Sequence, residues 1–164
     1  MAECLITRRG GSGNSNLDVL KAIDSFTTKR EDGTGSITIS EDRKTVTATT
    51  TGTSSNQQGN VVYFSSNLFD LSKYKKLHFH LNKKGYGETR VCFYSSNTSV
   101  YGWDNIIAGQ IFESHENFVD GEFEIDLEST DGKGYFGIGM SGFTTTPSWT
   151  GNTNTSIVSN LYLK

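Results

Sequence analysis

The stretch Leu77-His78-Phe79-His80-Leu81 alternates apolar and polar side chains without a break, and Glu122-Phe123-Glu124-Ile125-Asp126-Leu127 does the same. Side chains of an extended chain point to opposite faces in turn, so each segment is a strand with one buried and one wet face. Leu77, Phe79 and Leu81 go inward on the first, and Phe123, Ile125 and Leu127 on the second. A chain built from such strands must stack two of these half-greasy surfaces against each other.

The same period recurs along the chain. Ile37 and Ile39 alternate with polar residues, Glu41-Asp42-Arg43 turns, and Val46 and Ala48 resume the pattern. "NVVYFSS" from Asn60 reads as a buried strand. Val91 and Phe93 form the inward pair of "ETRVCFYSS", "NIIAGQIFE" is strand-like, and "SIVSNLYLK" closes the chain. Phe136, Ile138 and Met140 face inward with glycines opposite, where a neighbouring side chain approaches closely. One segment reads as helix: "NLDVLKAIDSF", with Asn16 as N-cap and Leu17, Leu20 and Ile23 at helical spacing. With about nine short strands and no alternating helices, the expected fold is all-β, an antiparallel β-sandwich.

Fifteen basic against 18 acidic residues in 164 leave the chain near neutrality, which argues against a nucleic-acid binder with its basic stripe. Nothing approaches the apolar run of a membrane span. Residues 1–16 are expected to be an attachment arm and residues 17–164 a single sandwich domain. The arm pairs a short apolar hook, Cys4-Leu5-Ile6, with Arg8-Arg9 and a Gly-Gly-Ser-Gly joint. The hook is too short for a secretory leader and the arginines follow it, so no signal peptide is expected and synthesis in a bacterial cytoplasm follows. Two cysteines, Cys4 and Cys92, make no disulfide framework.

Together "FDLSKYKKLHFHLN", "GEFEIDLES", "GYFGIGMSG" and "SIVSNLYLK" resemble the galactose-binding-like jelly roll of carbohydrate-binding modules, over roughly Val61 to Lys164. That resemblance implies a jelly-roll sandwich, binding without catalysis, and in some members a structural calcium ion. No dense Asp/Asn cluster marks a calcium site, and no other cofactor is expected. Separately, "MAECLITRRGG" resembles the opening of small tail-associated and fibre-like proteins of phages and prophages of Gram-positive bacteria. This second resemblance implies a virion component, in tail, baseplate, fibre or head decoration. Leu5, Ile6, Arg8 and Arg9 would then dock the domain onto sister subunits or other virion proteins.

Enzyme motifs are absent: no nucleophile elbow, zinc-protease helix, phosphate-binding loop or EF-hand loop. Glu122, Glu124 and Asp126 read as the solvated face of a strand rather than a glycosidase pair. His78 and His80 share a strand face and His115 could join them from a loop to hold zinc, but two polar residues on an outer strand face are the preferred reading. The aromatic loops carry more information. "NTSVYGWDN" presents Tyr101 and Trp103 beside Asp104 and Asn105, and "TTTPSWTGNTN" presents Trp149 among hydroxyls and amides. Sugar C–H faces stack on aromatic rings while their hydroxyls want carboxylates and amides. Three readings stay open for these residues: contact with a host-surface glycan, a subunit interface, or capping of the sandwich end.

Overall fold

The computed structural model describes residues 16–31, 33–52, 59–98, 105–113, 116, 118–128, 130, 132–142 and 153–164. Eleven strands are found among these residues: β1 (Leu17–Asp18), β2 (Phe26–Glu31), β3 (Gly33–Ile39), β4 (Thr45–Gly52), β5 (Gly59–Asp70), β6 (Lys76–Lys84), β7 (Thr89–Tyr94), β8 (Ile106–Phe112), β9 (Phe118–Asp126), β10 (Lys133–Gly142) and β11 (Asn154–Leu163). They form two antiparallel sheets. The first runs β3-β4-β11-β6-β9, with β1 added to the end of β11, and the second runs β2-β5-β10-β7-β8. The chain passes back and forth between the sheets, so sequence neighbours such as β5 and β6 lie in different layers. This is a β-sandwich of jelly-roll type.

The period-two reading of the sequence holds strand by strand. Leu77, Phe79, Leu81, Val91, Phe93, Phe136, Ile138, Val46 and Ala48 are fully buried in the space between the sheets, with Phe123 and Ile125 packed against them. Phe93 meets Phe69 and Phe136 edge to face, at 5.7 Å between centroids in both cases, while Phe79 and Phe123 stack at 5.6 Å.

The helix reading needs correction. Only Val19–Ala22 is helical, and its cap is Asp18, whose carboxylate accepts from Lys21 N at 3.2 Å, rather than Asn16. Leu17 pairs with Leu163 as a strand residue instead. One turn suffices because Val19, Leu20 and Ile23 already reach the core. The Arg43 guanidinium then ends the helix by donating to the carbonyls of Leu20 and Ile23. Arg43 sits in the turn between β3 and β4 with φ at 55°. The freed chain continues as β2, which the helical reading concealed.

Candidate functional site

Burial decides which sheet offers a surface. In the second sheet the central strands are shielded on both faces: every residue of β7 is buried, as is nearly all of β10. A second apolar cluster, Val62, Phe64, Cys92 and Tyr94, lies on its outer side. The Tyr94 ring lies flat across β10, where Gly137 leaves room for it and any Cβ would crowd the ring at 2.8 Å. Phe64 meets that ring edge-on at 5.1 Å. Burial pushes the Cys92 thiol up to about 12 and the Tyr94 phenol well above its ordinary range, so both stay protonated. Cys92 is a free thiol.

Among the described residues the first sheet keeps one open face. β6 alternates buried and half-buried residues, and β9 half-buried and exposed ones. Across that face the side chains pair diagonally, each reaching one step past its direct register partner. Lys76 Nζ meets Glu124 Oε1 at 2.5 Å, His78 Nε2 meets Glu122 Oε2 at 2.8 Å, and His80 Nε2 meets Asp120 Oδ1 at 3.1 Å. In register these residues face Asp126, Glu124 and Glu122. Lys164 joins Glu124 from β11 at 2.5 Å. Hydrogen bonds from the two lysines hold the Glu124 carboxyl down to about 2. The acids of β9 are thus tied up in a solvated charge ladder. Among the described residues no group of three His, Cys, Asp or Glu side chains is placed to hold a metal ion. His115 lies outside the described residues.

One irregularity breaks this face. Between Ser159 and Tyr162 the pairing of β11 with β6 shifts by a residue, and Asn160 adopts a left-handed φ of 49°. Bulges of this kind re-aim side chains. Here Asn160 Nδ2 donates to Glu122 Oε1 at 3.0 Å, while the other oxygen of the same carboxylate holds His78. His78 in turn stacks on Tyr162, with centroids 4.5 Å apart and planes 22° from parallel. Beside the bulge, where β1 pairs with β11, lies a cleft of about 290 Å³ lined by Asn16, Asp18, Lys44, Asn160, Leu161 and Tyr162. Its lining residues are a tyrosine, two asparagines, an aspartate, a lysine and a leucine; the Tyr162 ring is stacked on His78, Asn160 Nδ2 is held by Glu122, and Asp18 by Lys21. That composition suits a small polyhydroxylated ligand, whose C–H groups pack against rings and whose hydroxyls bond to amides and charges.

Tyr101, Trp103, Asp104 and Trp149 lie outside the described residues, as do Leu5, Ile6, Arg8 and Arg9. Asn105 is described. It is half-buried, and its carbonyl accepts from Ser95 N at 2.7 Å, closing the connection from β7 to β8. The cleft residues were not singled out from sequence. In the structure buried positions fall on even numbers up to Val158 and on odd numbers from Leu161, a parity slip at Asn160 that the sequence conceals because Asn154 and Ser156 are buried and Ile157 is exposed.

No family model matches the sequence, and no curated protein does. Among solved structures, a family 11 carbohydrate-binding module from Clostridium thermocellum, solved with a β-1,3-1,4-mixed-linked tetrasaccharide, is 14% identical. The alignment covers 90% of this chain and 93% of that one, with a TM-score of 0.45. A family 29 carbohydrate-binding module from Piromyces equi is 12% identical over 85% of this chain and 80% of its own, with a TM-score of 0.43. The xylan-binding module CBM86 from Roseburia intestinalis is 14% identical over 83% and 95%, with a TM-score of 0.40.

Proposed function

We propose that this chain is a non-catalytic glycan-binding module, with the cleft beside Tyr162 as its contact site. The observation that carries the reading is the composition of the cleft: Tyr162, Asn16, Asn160, Asp18 and Lys44 are among the residues that line about 290 Å³. That volume lies at the lower end of ligand-pocket sizes, which begin at about 300 Å³. The loop residues Tyr101, Trp103, Asp104, Asn105 and Trp149 are a further contact set in this proposal. Isothermal titration against a panel of oligosaccharides and cell-wall glycans tests it. A binder is expected, with Tyr162→Ala weakening it at least tenfold in a protein that circular dichroism shows to be still folded. A panel without binders, or a binder indifferent to Tyr162→Ala, overturns the assignment of the cleft.

A second reading rests on the opening "MAECLITRRGG": residues 1–16 attach the domain to a phage or prophage particle, and the glycan is on the host surface. The sequence of the arm supports it. A chain lacking residues 1–11 should fold and still bind glycan but fail to enter particles. Incorporation of the truncated chain refutes the attachment role.

A further inference from the structure

A jelly roll leaves four strand edges with unpaired main-chain groups, and folded proteins guard such edges with charges, bulges or twist. Three of the four here are guarded. β9 carries Asp120, Glu122, Glu124 and Asp126, and β2 carries Lys29, Arg30 and Glu31. β8 is kinked, with Gly109 at φ 150° and a shift in its pairing beside Tyr94. The fourth, β3, is different. Its sequence Gly-Thr-Gly-Ser-Ile-Thr-Ile holds no charge and no proline, and its pairing with β4 runs without a shift from Gly33 to Ile39.

The parity of that edge follows from one bond. Ser40 N donates to Thr45 O at 2.9 Å, so the even-numbered residues of β3 face β4. The main-chain groups of Gly35, Ile37 and Ile39 therefore point outward, and among the described residues no strand pairs with that side. The side chains of Ile37 and Ile39 are only half-buried at the rim of the core. A strand added here would meet hydrogen-bonding partners and finish the burial of both isoleucines.

We propose that this edge is the receptor for residues Cys4–Arg9 of a second copy of the chain, exchanged reciprocally to give a closed dimer. With Cys4 on the outer face beside Thr34 or Thr38, strand alternation turns Leu5 toward the isoleucine rim and Ile6 outward, and the segment is free of proline. In the sequence an acidic pair adjoins each end of β3, Glu31-Asp32 and Glu41-Asp42, each with a basic pair beside it, Lys29-Arg30 and Arg43-Lys44. Geometry favours a neighbour over the chain's own β3. The joint Gly10–Ser15 spans about 20 Å when fully stretched. β1 pairs with β11 in the row of β4, so a strand added outside β3 lies two strand spacings, about 10 Å, to its side and more than about 15 Å along the strands at Ile39. The chain's own edge is reached only by a taut joint, whereas a neighbour imposes no such limit. This inference is independent of the glycan reading and shares with the virion reading only the premise that the arm docks.

Native Cys4 makes the test direct, because Cys92 is buried and silent. Thr34→Cys and Thr38→Cys place thiols at the two ends of β3, and Ile157→Cys serves as a control at the centre of the same sheet. Under oxidised glutathione, one of the two β3 variants should give a disulfide-linked dimer in nearly full yield, and the control should give almost none. Adding Cys4→Ser should abolish the link. By light scattering the unmodified chain should be a dimer, and Leu5→Asp/Ile6→Asp a monomer with an unchanged melting temperature. A monomeric full chain, a crosslink within one chain, or a covalent dimer that survives Cys4→Ser each overturns the proposal. A monomer whose truncation still blocks particle entry overturns it while leaving the virion reading in place.

Discussion

The Tyr63 hydroxyl donates to the main-chain carbonyl of Thr49 at 2.7 Å, joining β5 of one sheet to β4 of the other through the core. The bond reshapes the β3–β4 ladder locally: Ser36 N turns to Thr49 Oγ1 at 3.2 Å. Gly35 lies directly against this junction, where any Cβ would overlap both the Thr49 carbonyl and the Tyr63 hydroxyl.

Tyr63→Phe should therefore cost about 1–2 kcal/mol, the loss of a buried hydrogen bond. Gly35→Ala should cost about 1–3 kcal/mol or more by overpacking the same point. Urea unfolding of both variants and of the double mutant checks this, and the pair should be non-additive because one junction is lost in each.

Burial raises the Tyr63 phenol to about 12 against an ordinary 10.0, and Tyr94 shifts the same way. The native state keeps protons that the unfolded chain releases above pH 10, so stability should fall as pH rises from 10 through 12. Phenolate absorbance should show these two of the seven tyrosines ionising late and together with unfolding.

Lys83 has the opposite sign. Its ammonium is buried and donates to the carbonyls of Gly85, at 3.1 Å, and Glu116. Burial lowers it to about 8 from 10.5. The unfolded chain binds the extra proton between those values, so this residue adds stability as pH rises from 8 to 10.5. Compared with Lys83→Met, the unsubstituted protein should gain ground across that window in denaturant melts at matched ionic strength. A constant difference between the two would refute the shift.

Cys92 should be inert in the folded protein, with its thiol at about 12 under the Val62–Phe64–Tyr94 cluster. In a Cys4→Ser background a disulfide reagent at pH 8 should label nothing until denaturant is added. Gly137→Ala should speed that labelling by lifting the Tyr94 ring, which now covers the glycine.

Glu124 is held ionised to about pH 2 by hydrogen bonds to Lys164 and Lys76. Its support for the β9 edge is present above the ordinary 4.5 and is lost as pH falls toward 2. Glu124→Gln should remove the acid-limb difference in hydrogen exchange at β9, and salt should weaken the effect in the unsubstituted protein, since the group is exposed.

The alternation in Leu77–Leu81 and in Phe123–Leu127 determined, by itself, that these segments are strands and which side chains they bury. A period-two pattern admits no other geometry, and the core positions of β7 and β10 follow for the same reason. The turn at Glu41-Asp42-Arg43 was equally local. The helix proposed from Asn16 to Phe26 failed because its spacing reflected one turn, Val19–Ala22, seated on a core that the sequence does not display. What only the tertiary structure decided is which strands lie side by side. That ordering places β1 against the bulge of β11, gathers Asp18, Lys44 and Tyr162 from three distant segments around a cleft, and leaves β3 at one edge of the first sheet. Strand order is a long-range choice made by packing two sheets face to face, and neither hydropathy period nor turn chemistry carries information over that distance.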